Sequence, residues 1–190
     1  MNEKETILEE YLESEKKDKN IFDIVIYGSF VKGKTIARDL DIVVIFLEGT
    51  LRERLTKIQE IKSRLKLLHE NIDIKQITLK DLFSTDFFAR TGILIEGISM
   101  FRKKTFSEIL GFKTYALFWY NLKDLTHTQK VRFNYILAGR NEMKGIIEDL
   151  DGQRIVSGAI KIPIEHSLEF EEILKRNNVK YERKDILEAI

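Results

Sequence analysis

The apolar runs at residues 21–27 and 40–47 are joined by the stretch Tyr27-Gly28-Ser29-Phe30-Val31-Lys32-Gly33-Lys34-Thr35-Ile36-Ala37-Arg38-Asp39-Leu40-Asp41. Asp39 and Asp41 stand two positions apart, and side chains two positions apart on a strand point to the same face. Adjacent carboxylates repel each other unless a cation lies between them. Hard cations such as Mg²⁺ bind oxygen ligands of this kind, together with substrate phosphates. The stretch therefore predicts a metal site that handles phosphate.

The loop before the aspartates has the composition of a phosphate-binding loop. Gly28 allows the backbone to approach a phosphate closely, and N–H groups exposed at the start of a helix bind anions. Lys32 and Lys34 are either solvated or neutralise triphosphate charge. The aspartates could instead pair with these lysines or with Arg38, but two charges at the mouth of an apolar strand favour metal ligation.

Gly28-Ser29 followed at this distance by Asp39-Leu40-Asp41 resembles the signature of the polymerase-β-type nucleotidyltransferase superfamily, especially its small bacterial and archaeal members. The resemblance covers roughly residues 20–105. It implies that the aspartate pair holds two Mg²⁺ ions, which Mn²⁺ could replace, and that a carboxylate on a later strand completes the site. Asp73, at the start of an apolar run, is the candidate for that third ligand, and Glu70 is its nearest competitor.

The resemblance also implies a reaction. A nucleoside monophosphate group would pass from a nucleoside triphosphate such as ATP to an acceptor hydroxyl, with release of pyrophosphate. The acceptor could be RNA, a small molecule, or a partner protein that this chain would adenylylate as the antitoxin of a toxin–antitoxin pair. Many members have serine where this chain has Arg38, so no role is carried over to that residue. The implied catalytic metal ligands are Asp39, Asp41 and Asp73, and the implied nucleotide-binding residues are Gly28, Ser29 and Lys34.

The composition excludes several classes of protein. The net charge of the 190-residue chain is only +1, so no global field attracts nucleic acid. The chain has no cysteine, which excludes disulfides and thiolate metal sites and fits a reducing cytoplasm. No apolar run reaches the length of about 20 residues that a membrane span requires. We therefore predict a cytoplasmic protein without a membrane partner, and the oligomeric state stays open.

The N-terminal half predicts an α/β pattern within an overall α+β class. Apolar runs at 21–27, 40–47 and 72–78 predict strands, and a capping box at Thr50 and Glu53 begins a helix that extends to about residue 70. A further helix is predicted over 79–95, with Phe83 buried. The predicted architecture is a small mixed sheet flanked by helices, nucleotidyltransferase-like, followed by a C-terminal α+β accessory domain.

A soft boundary near residue 105 separates a catalytic domain, residues 1–105, from an acceptor-selecting domain, residues 106–190. In the second part, the pattern predicts a strand at 115–120 and a helix at 126–138 with Val131, Tyr135 and Leu137 facing inward. One strand is predicted over 155–162, then a helix capped by Ser167 and a short charged end.

Basic and aromatic residues are interleaved in the second half. Residues 113–144 contain six Lys or Arg against two acidic residues, and aromatic residues lie nearby at 115 and 118–120. This combination could hold single-stranded nucleic acid by charge and stacking, which would make the protein a non-catalytic binding module. A core strand beside a solvated helix explains the same pattern and is favoured.

Overall fold

A computed structural model describes residues 8, 11–28, 31, 39–84, 86, 89–140 and 143–190. The chain divides into two compact units, Met1–Leu110 and Gly111–Ile190. Within the described residues, the strands form one four-stranded sheet in each unit. No helix in this described part is both long and apolar enough to cross a membrane.

The first unit contains a mixed sheet with the strand order β3-β2-β1-β4. Strands β1 and β2 are antiparallel, whereas β2 and β3 are parallel and are connected by the crossover helix α1. Strand β4 pairs antiparallel with β1. The elements are β1 (Ile21–Tyr27), β2 (Leu40–Phe46), α1 (Leu51–Leu65), β3 (Ile72–Thr78), α2 (Arg90–Glu96), β4 (Ile98–Ser99) and α3 (Phe106–Ile109).

Both faces of this sheet are covered, which explains why β1 and β2 are almost continuously apolar. On one face, the even-numbered side chains of the two strands pack with helix α1. On the other face, the odd-numbered side chains pack with α2 and α3. The first layer includes Ile24, Ile26, Ile42, Val44, Ile61 and Leu65, and the second includes Val25, Tyr27, Val43, Ile45, Ile93 and Phe106.

Helix α1 begins as the sequence predicts but ends earlier, at Leu65. The backbone N–H of Thr50 donates to the Glu53 carboxylate at 2.7 Å, and the Thr50 hydroxyl accepts from the Glu53 N–H at 3.4 Å. This reciprocal capping box satisfies N–H groups that the first turn cannot pair internally. The buried residues of α1 begin only at Ile58, so its second half covers the sheet.

The predicted helix over 79–95 is wrong in its first half. Asp81 accepts hydrogen bonds from the backbone N–H and the hydroxyl of Thr78, both at 2.8 Å, and this local turn ends β3. A short 3₁₀ turn, Asp81–Phe83, follows, and helix α2 begins only at Arg90. Phe83 is 70% exposed rather than buried.

A buried carboxylate joins β1 to β4. Asp23 is fully buried, and both of its carboxylate oxygens accept from the Ser99 hydroxyl, at 2.9 and 2.7 Å. The Arg102 guanidinium lies 2.5 Å from the same carboxylate and stacks over the ring of Phe22. Burial raises the pKa of Asp23, and the bonds to Ser99 and Arg102 oppose that rise. The loop after β4 is thus held to β1 by charge as well as by backbone pairing.

The second unit is built from a fully antiparallel sheet with the strand order β6-β7-β5-β8. Helices α4 and α6 contribute to one core against it, where the rings of Phe118 and Phe170 meet edge to face at 5.0 Å. The elements are β5 (Phe112–Asn121), α4 (His127–Ala138), α5 (Ile146–Asp149), β6 (Gln153–Val156), β7 (Ala159–Pro163), α6 (Ser167–Arg176) and β8 (Lys180–Ala189).

Several expectations for the second unit are wrong. The predicted strand over 155–162 is a hairpin, because Gly158 turns the chain at φ +83° between β6 and β7. Strand β8, which the sequence suggested only as a charged end, pairs with β5 along its full length. Helix α4 buries Leu137, as predicted, but its other buried residue is Phe133, whereas Val131 and Tyr135 are exposed.

The start of helix α6 also differs from the prediction. Ser167 is its first residue rather than its cap, and its hydroxyl donates to the carbonyl of Ile164 at 2.6 Å. At the other face of α6, Glu171 accepts from Tyr181 and Arg183 of β8. Burial alone would raise the pKa of Glu171, but these bonds and one from Lys175 outweigh it and lower the pKa to about 2.

Replacing Arg102 with methionine should lower the free energy of unfolding by about 2 kcal/mol at neutral pH, because the buried Asp23 loses its counter-charge. The loss should shrink in acid. A carboxyl group whose pKa is raised on folding favours the folded state most below its unfolded pKa, and this contribution disappears as the pH rises through the folded pKa. Urea unfolding followed by circular dichroism at several pH values measures both effects.

Arg52→Met is the matched control, because Arg52 is an exposed arginine on α1 and its loss should cost less than about 0.5 kcal/mol. Equal losses for the two variants, or a loss for Arg102→Met that does not change with pH, would contradict the assigned role of the Asp23 pair.

Candidate functional site

Two carboxylates are brought together by strand pairing at one edge of the first sheet. Asp41 is the register partner of Tyr27 on β1 and of Asp73 on β3. Residues that lie directly opposite each other on neighbouring strands project to the same face of a sheet. The side chains of Asp41 and Asp73, which are 32 positions apart in sequence, are therefore neighbours where β2 and β3 begin.

Asp39 lies immediately before β2 and is exposed. The next residue, Leu40, is buried, and its N–H donates to the carbonyl of Asn71 at 3.0 Å. This bond joins the chain just before β3 to the start of β2. Leu40 points inward as expected from the sequence, whereas Asp39 lies outside the strand and has no register partner among the described residues.

Gly28 follows β1 and lies against Asp41. Its φ is +81°, a conformation that residues with a side chain rarely adopt. A Cβ atom placed on Gly28 would lie only 2.5 Å from Oδ2 of Asp41. Glycine is thus favoured at this position by the backbone conformation, and any side chain there would displace the Asp41 carboxylate.

The electrostatics of the site oppose the charge on Asp41. Burial raises the pKa of Asp41, and the negative charges of Asp73 and Asp39 raise it further, while Lys75 acts in the opposite direction. The Lys75 ammonium lies 3.3 Å from Oδ2 of Asp73. A bound cation would relieve the repulsion among these carboxylates.

Lys75 and Tyr27 belong to this environment, although sequence reasoning missed both. Tyr27 is buried beside Asp41; burial raises the pKa of its hydroxyl, and Lys75 opposes that rise. A signal for Lys75 was present, since it follows Asp73 by two positions on a strand and must share its face. Tyr27 gave no such signal, because its pairing with Asp41 depends on the antiparallel register of β1 and β2.

The carboxylate oxygens of Asp39, Asp41 and Asp73 are chemically suited to bind a hard divalent cation. Among the described residues, however, no three acidic or histidine side chains converge as metal ligands. The ion pair with Lys75 gives a physical reason, since Asp73 already has a cation beside it. Glu70 is exposed and precedes β3, and the register places Asp73 rather than Glu70 opposite Asp41.

Part of the predicted site falls outside the described residues. Ser29 and Lys34, the other predicted nucleotide-binding residues, belong to this group, as do Lys32 and Arg38. Of the predicted site, the structure places Gly28, Asp39, Asp41 and Asp73.

The described residues thus define an α+β protein whose first sheet carries a glycine and paired carboxylates at one end of its strands. A family model described as polymerase beta, nucleotidyltransferase, matches residues 8–105, just over half of the chain. The chain therefore belongs to the polymerase-β-type nucleotidyltransferase family, and the predicted fold class is confirmed. No curated protein and no solved structure gives a significant match.

Replacing Asp73 with asparagine should lower the pKa of Asp41, because one of the negative charges that raise it is removed and Lys75 loses its present partner. Titration of the Asp41 carboxyl carbon by NMR, in metal-free buffer, measures the change. Glu70→Gln removes a carboxylate that is close in sequence to Asp73 but outside the pairing register, and it should leave the pKa of Asp41 unchanged. An Asp41 titration unchanged in Asp73→Asn would show that the two carboxylates do not interact.

Proposed function

We propose that this protein is a metal-dependent nucleotidyltransferase that moves a nucleoside monophosphate group from a nucleoside triphosphate to an acceptor hydroxyl. One observation carries the proposal: the register pairs Asp41 with Asp73 while Gly28 leaves room for the Asp41 carboxylate. Membership of the nucleotidyltransferase family supports it. A sheet edge with these carboxylates costs electrostatic energy and has a clear use only if cations and phosphates bind there.

The proposed reaction is an in-line displacement at phosphorus. The acceptor oxygen forms a bond to the α-phosphorus, and the bond from that phosphorus to the oxygen bridging the α- and β-phosphates breaks. Pyrophosphate leaves with the bonding electrons, and the acceptor hydroxyl loses its proton. The products are pyrophosphate and a nucleoside monophosphate ester of the acceptor.

The described residues divide this work between them. Asp39 and Asp41 would hold two Mg²⁺ ions, and Asp73 would complete the coordination on the acceptor side and assist removal of the acceptor proton. When bound, the cations neutralise triphosphate charge and stabilise the attacking and leaving oxygens. The backbone at Gly28 can approach the β- and γ-phosphates because no side chain stands in the way.

Other parts of the proposal rest on sequence. Ser29 would bind the phosphates with Gly28, and Lys34 would add positive charge. We assign catalysis to residues 1–105 and acceptor selection to residues 106–190, in a cytoplasmic protein that uses ATP or another triphosphate. RNA, a partner protein and a small molecule are the candidate acceptors.

Changing Asp41 to asparagine should reduce nucleotidyl transfer by about 10³-fold or more, because several kcal/mol of transition-state charge stabilisation depends on the carboxylate. Asp39→Asn should have a similar effect. The protein is incubated with each α-labelled triphosphate, Mg²⁺ and cell extract as a source of acceptors, and the labelled product is separated by size. This assay identifies the donor and the size of the acceptor together.

Glu70→Gln serves as the control for these variants, since Glu70 is an exposed acidic residue of the first unit outside the register of Asp41. It should retain transfer. A folded Asp39→Asn/Asp41→Asn double variant with unchanged turnover would contradict the proposed function.

Gly28→Ala should abolish transfer while costing only about 1 kcal/mol of stability, because the added methyl group displaces the Asp41 carboxylate. Gly111→Ala is a matched control. Gly111 has a φ of +82°, yet a Cβ there would meet nothing within 4 Å. Transfer assays and urea unfolding of both variants separate backbone strain, which is common to them, from the clash, which only Gly28→Ala introduces. Similar loss of transfer in both would argue against the role of Gly28.

A further inference from the structure

The sheet of the second unit has one covered face and one open face. The strands and α-helices follow the order strand, helix, helix, strand, strand, helix, strand, and the helices α4, α5 and α6 all contribute to the core on one side. Among residues 111–140 and 143–190, the other side carries no helix of this unit. We call it the open face and define it by Tyr115, Leu117 and Trp119 of β5 with their register partners on β7 and β8.

Burial alternates along β5 and separates the aromatic residues that the sequence had grouped together. Phe118 is fully buried, and Tyr120 packs against the covered core. Tyr115 and Trp119 lie on the open face, and Trp119 is 39% exposed. An indole with an accessible ring on a flat sheet offers a surface on which a planar base can stack.

Lysines surround these rings. The Lys184 ammonium lies 5.8 Å from the centroid of Trp119, and the Lys161 ammonium lies 4.4 Å from that of Tyr115. Lys113 is exposed on the same face, at the opposite end of β5 from Trp119. The lysines thus lie on three neighbouring strands beside the aromatic rings, and Lys161 is also paired with Glu188, 2.5 Å away. Positive charge of this kind favours contact with a phosphate backbone.

The open face also carries groups that can recognise a sugar hydroxyl. Trp119 and Lys184 line a pocket of about 630 Å³ together with Asn121 and Glu182. Glu182 is the register partner of Trp119, so its carboxylate stands next to the ring. A carboxylate accepts hydrogen bonds from a ribose 2′-hydroxyl or from an exocyclic amino group of a base. Deoxyribose lacks the 2′-hydroxyl and cannot make the first of these bonds.

We propose that the open face of the second unit binds single-stranded RNA. Trp119 stacks on a base, Lys184 beside the ring and Lys113 nearer the start of β5 contact successive phosphates, and Glu182 with Asn121 contacts the sugar or the base edge. Duplexes fit poorly, because their bases are already stacked and their edges are turned inward. The inference concerns binding alone and does not depend on the proposed transfer reaction.

Trp119 is the only tryptophan of the chain, which makes the full-length protein its own reporter. A twelve-nucleotide oligo(U) should quench its emission on stacking. The same titration with oligo(dT) should show weaker binding, and one with duplex RNA of equal length should show little quenching. Quenching by oligo(dT) at equal or lower concentration than by oligo(U) would overturn the assignment to RNA.

Two variants of the open face test the contacts by fluorescence anisotropy of a labelled oligo(U). Trp119→Leu should weaken binding about tenfold, the effect expected for one stacked base. Lys113→Ala/Lys184→Ala should reduce the magnitude of the slope of log affinity against log salt by about 1.4, because two phosphate contacts are removed. Circular dichroism of each variant verifies that the sheet is intact.

Matched controls lie on the helices of the same unit. Tyr135 is an exposed aromatic residue on α4, and Lys175 is an exposed lysine on α6. Tyr135→Leu and Lys175→Ala should leave RNA affinity unchanged. Equal weakening by the helix variants, or the absence of both quenching and anisotropy change with wild-type protein, would overturn the proposal.

A final comparison separates this inference from the proposed function. Asp41→Asn should lose transfer and keep oligo(U) affinity, since Asp41 belongs to the first unit. Trp119→Leu should lose affinity whether or not the protein transfers nucleotides. RNA binding that disappears in Asp41→Asn would place the RNA site at the carboxylates and contradict the assignment to the open face.

Discussion

The parallel pairing of β2 with β3 is the constraint on which the site depends. It places Asp41 beside Asp73, and crossover helix α1 makes the pairing possible by returning the chain to the same sheet edge. Side chains alternate strictly along a strand, so a slip of one residue would exchange Asp73 for an apolar neighbour. The buried isoleucines at both ends of β3, Ile72 and Ile77, oppose such a slip because their burial fixes the register.

The first unit tolerates this concentration of charge because the apolar layers are complete on both sides of the sheet. Two groups of polar side chains lie at opposite ends of β1. Near one end Arg102 neutralises Asp23, and at the other end Asp41 and Asp73 lie side by side. The pair at Asp23 is buried and enclosed, which suits a structural role. The carboxylates at the other end are partly exposed and repel each other, which suits ligand binding.

Strong local signals made much of the first unit predictable. The Thr50 capping box and the apolar strands both depend on neighbouring residues, and they appear as expected. The predictions that were wrong concern features that depend on contacts between residues far apart in the sequence. Helix α4 gives no clear apolar stripe from sequence, so Phe133 was missed as an inward residue and Val131 and Tyr135 were wrongly placed inward, although Leu137 was predicted correctly. Strand β8 has mostly exposed positions, and many of them carry charged side chains, so its sequence does not resemble a buried strand. Only its pairing with β5 reveals it as a strand.

Lys75 gives the site a counter-charge that is part of the chain. In this structure its ammonium lies 3.3 Å from Oδ2 of Asp73, and both side chains are about half exposed. An exposed ion pair of this kind contributes little to the free energy of unfolding, so the two side chains can separate at little cost. The pair can therefore open to admit another partner for Asp73 without loosening the fold.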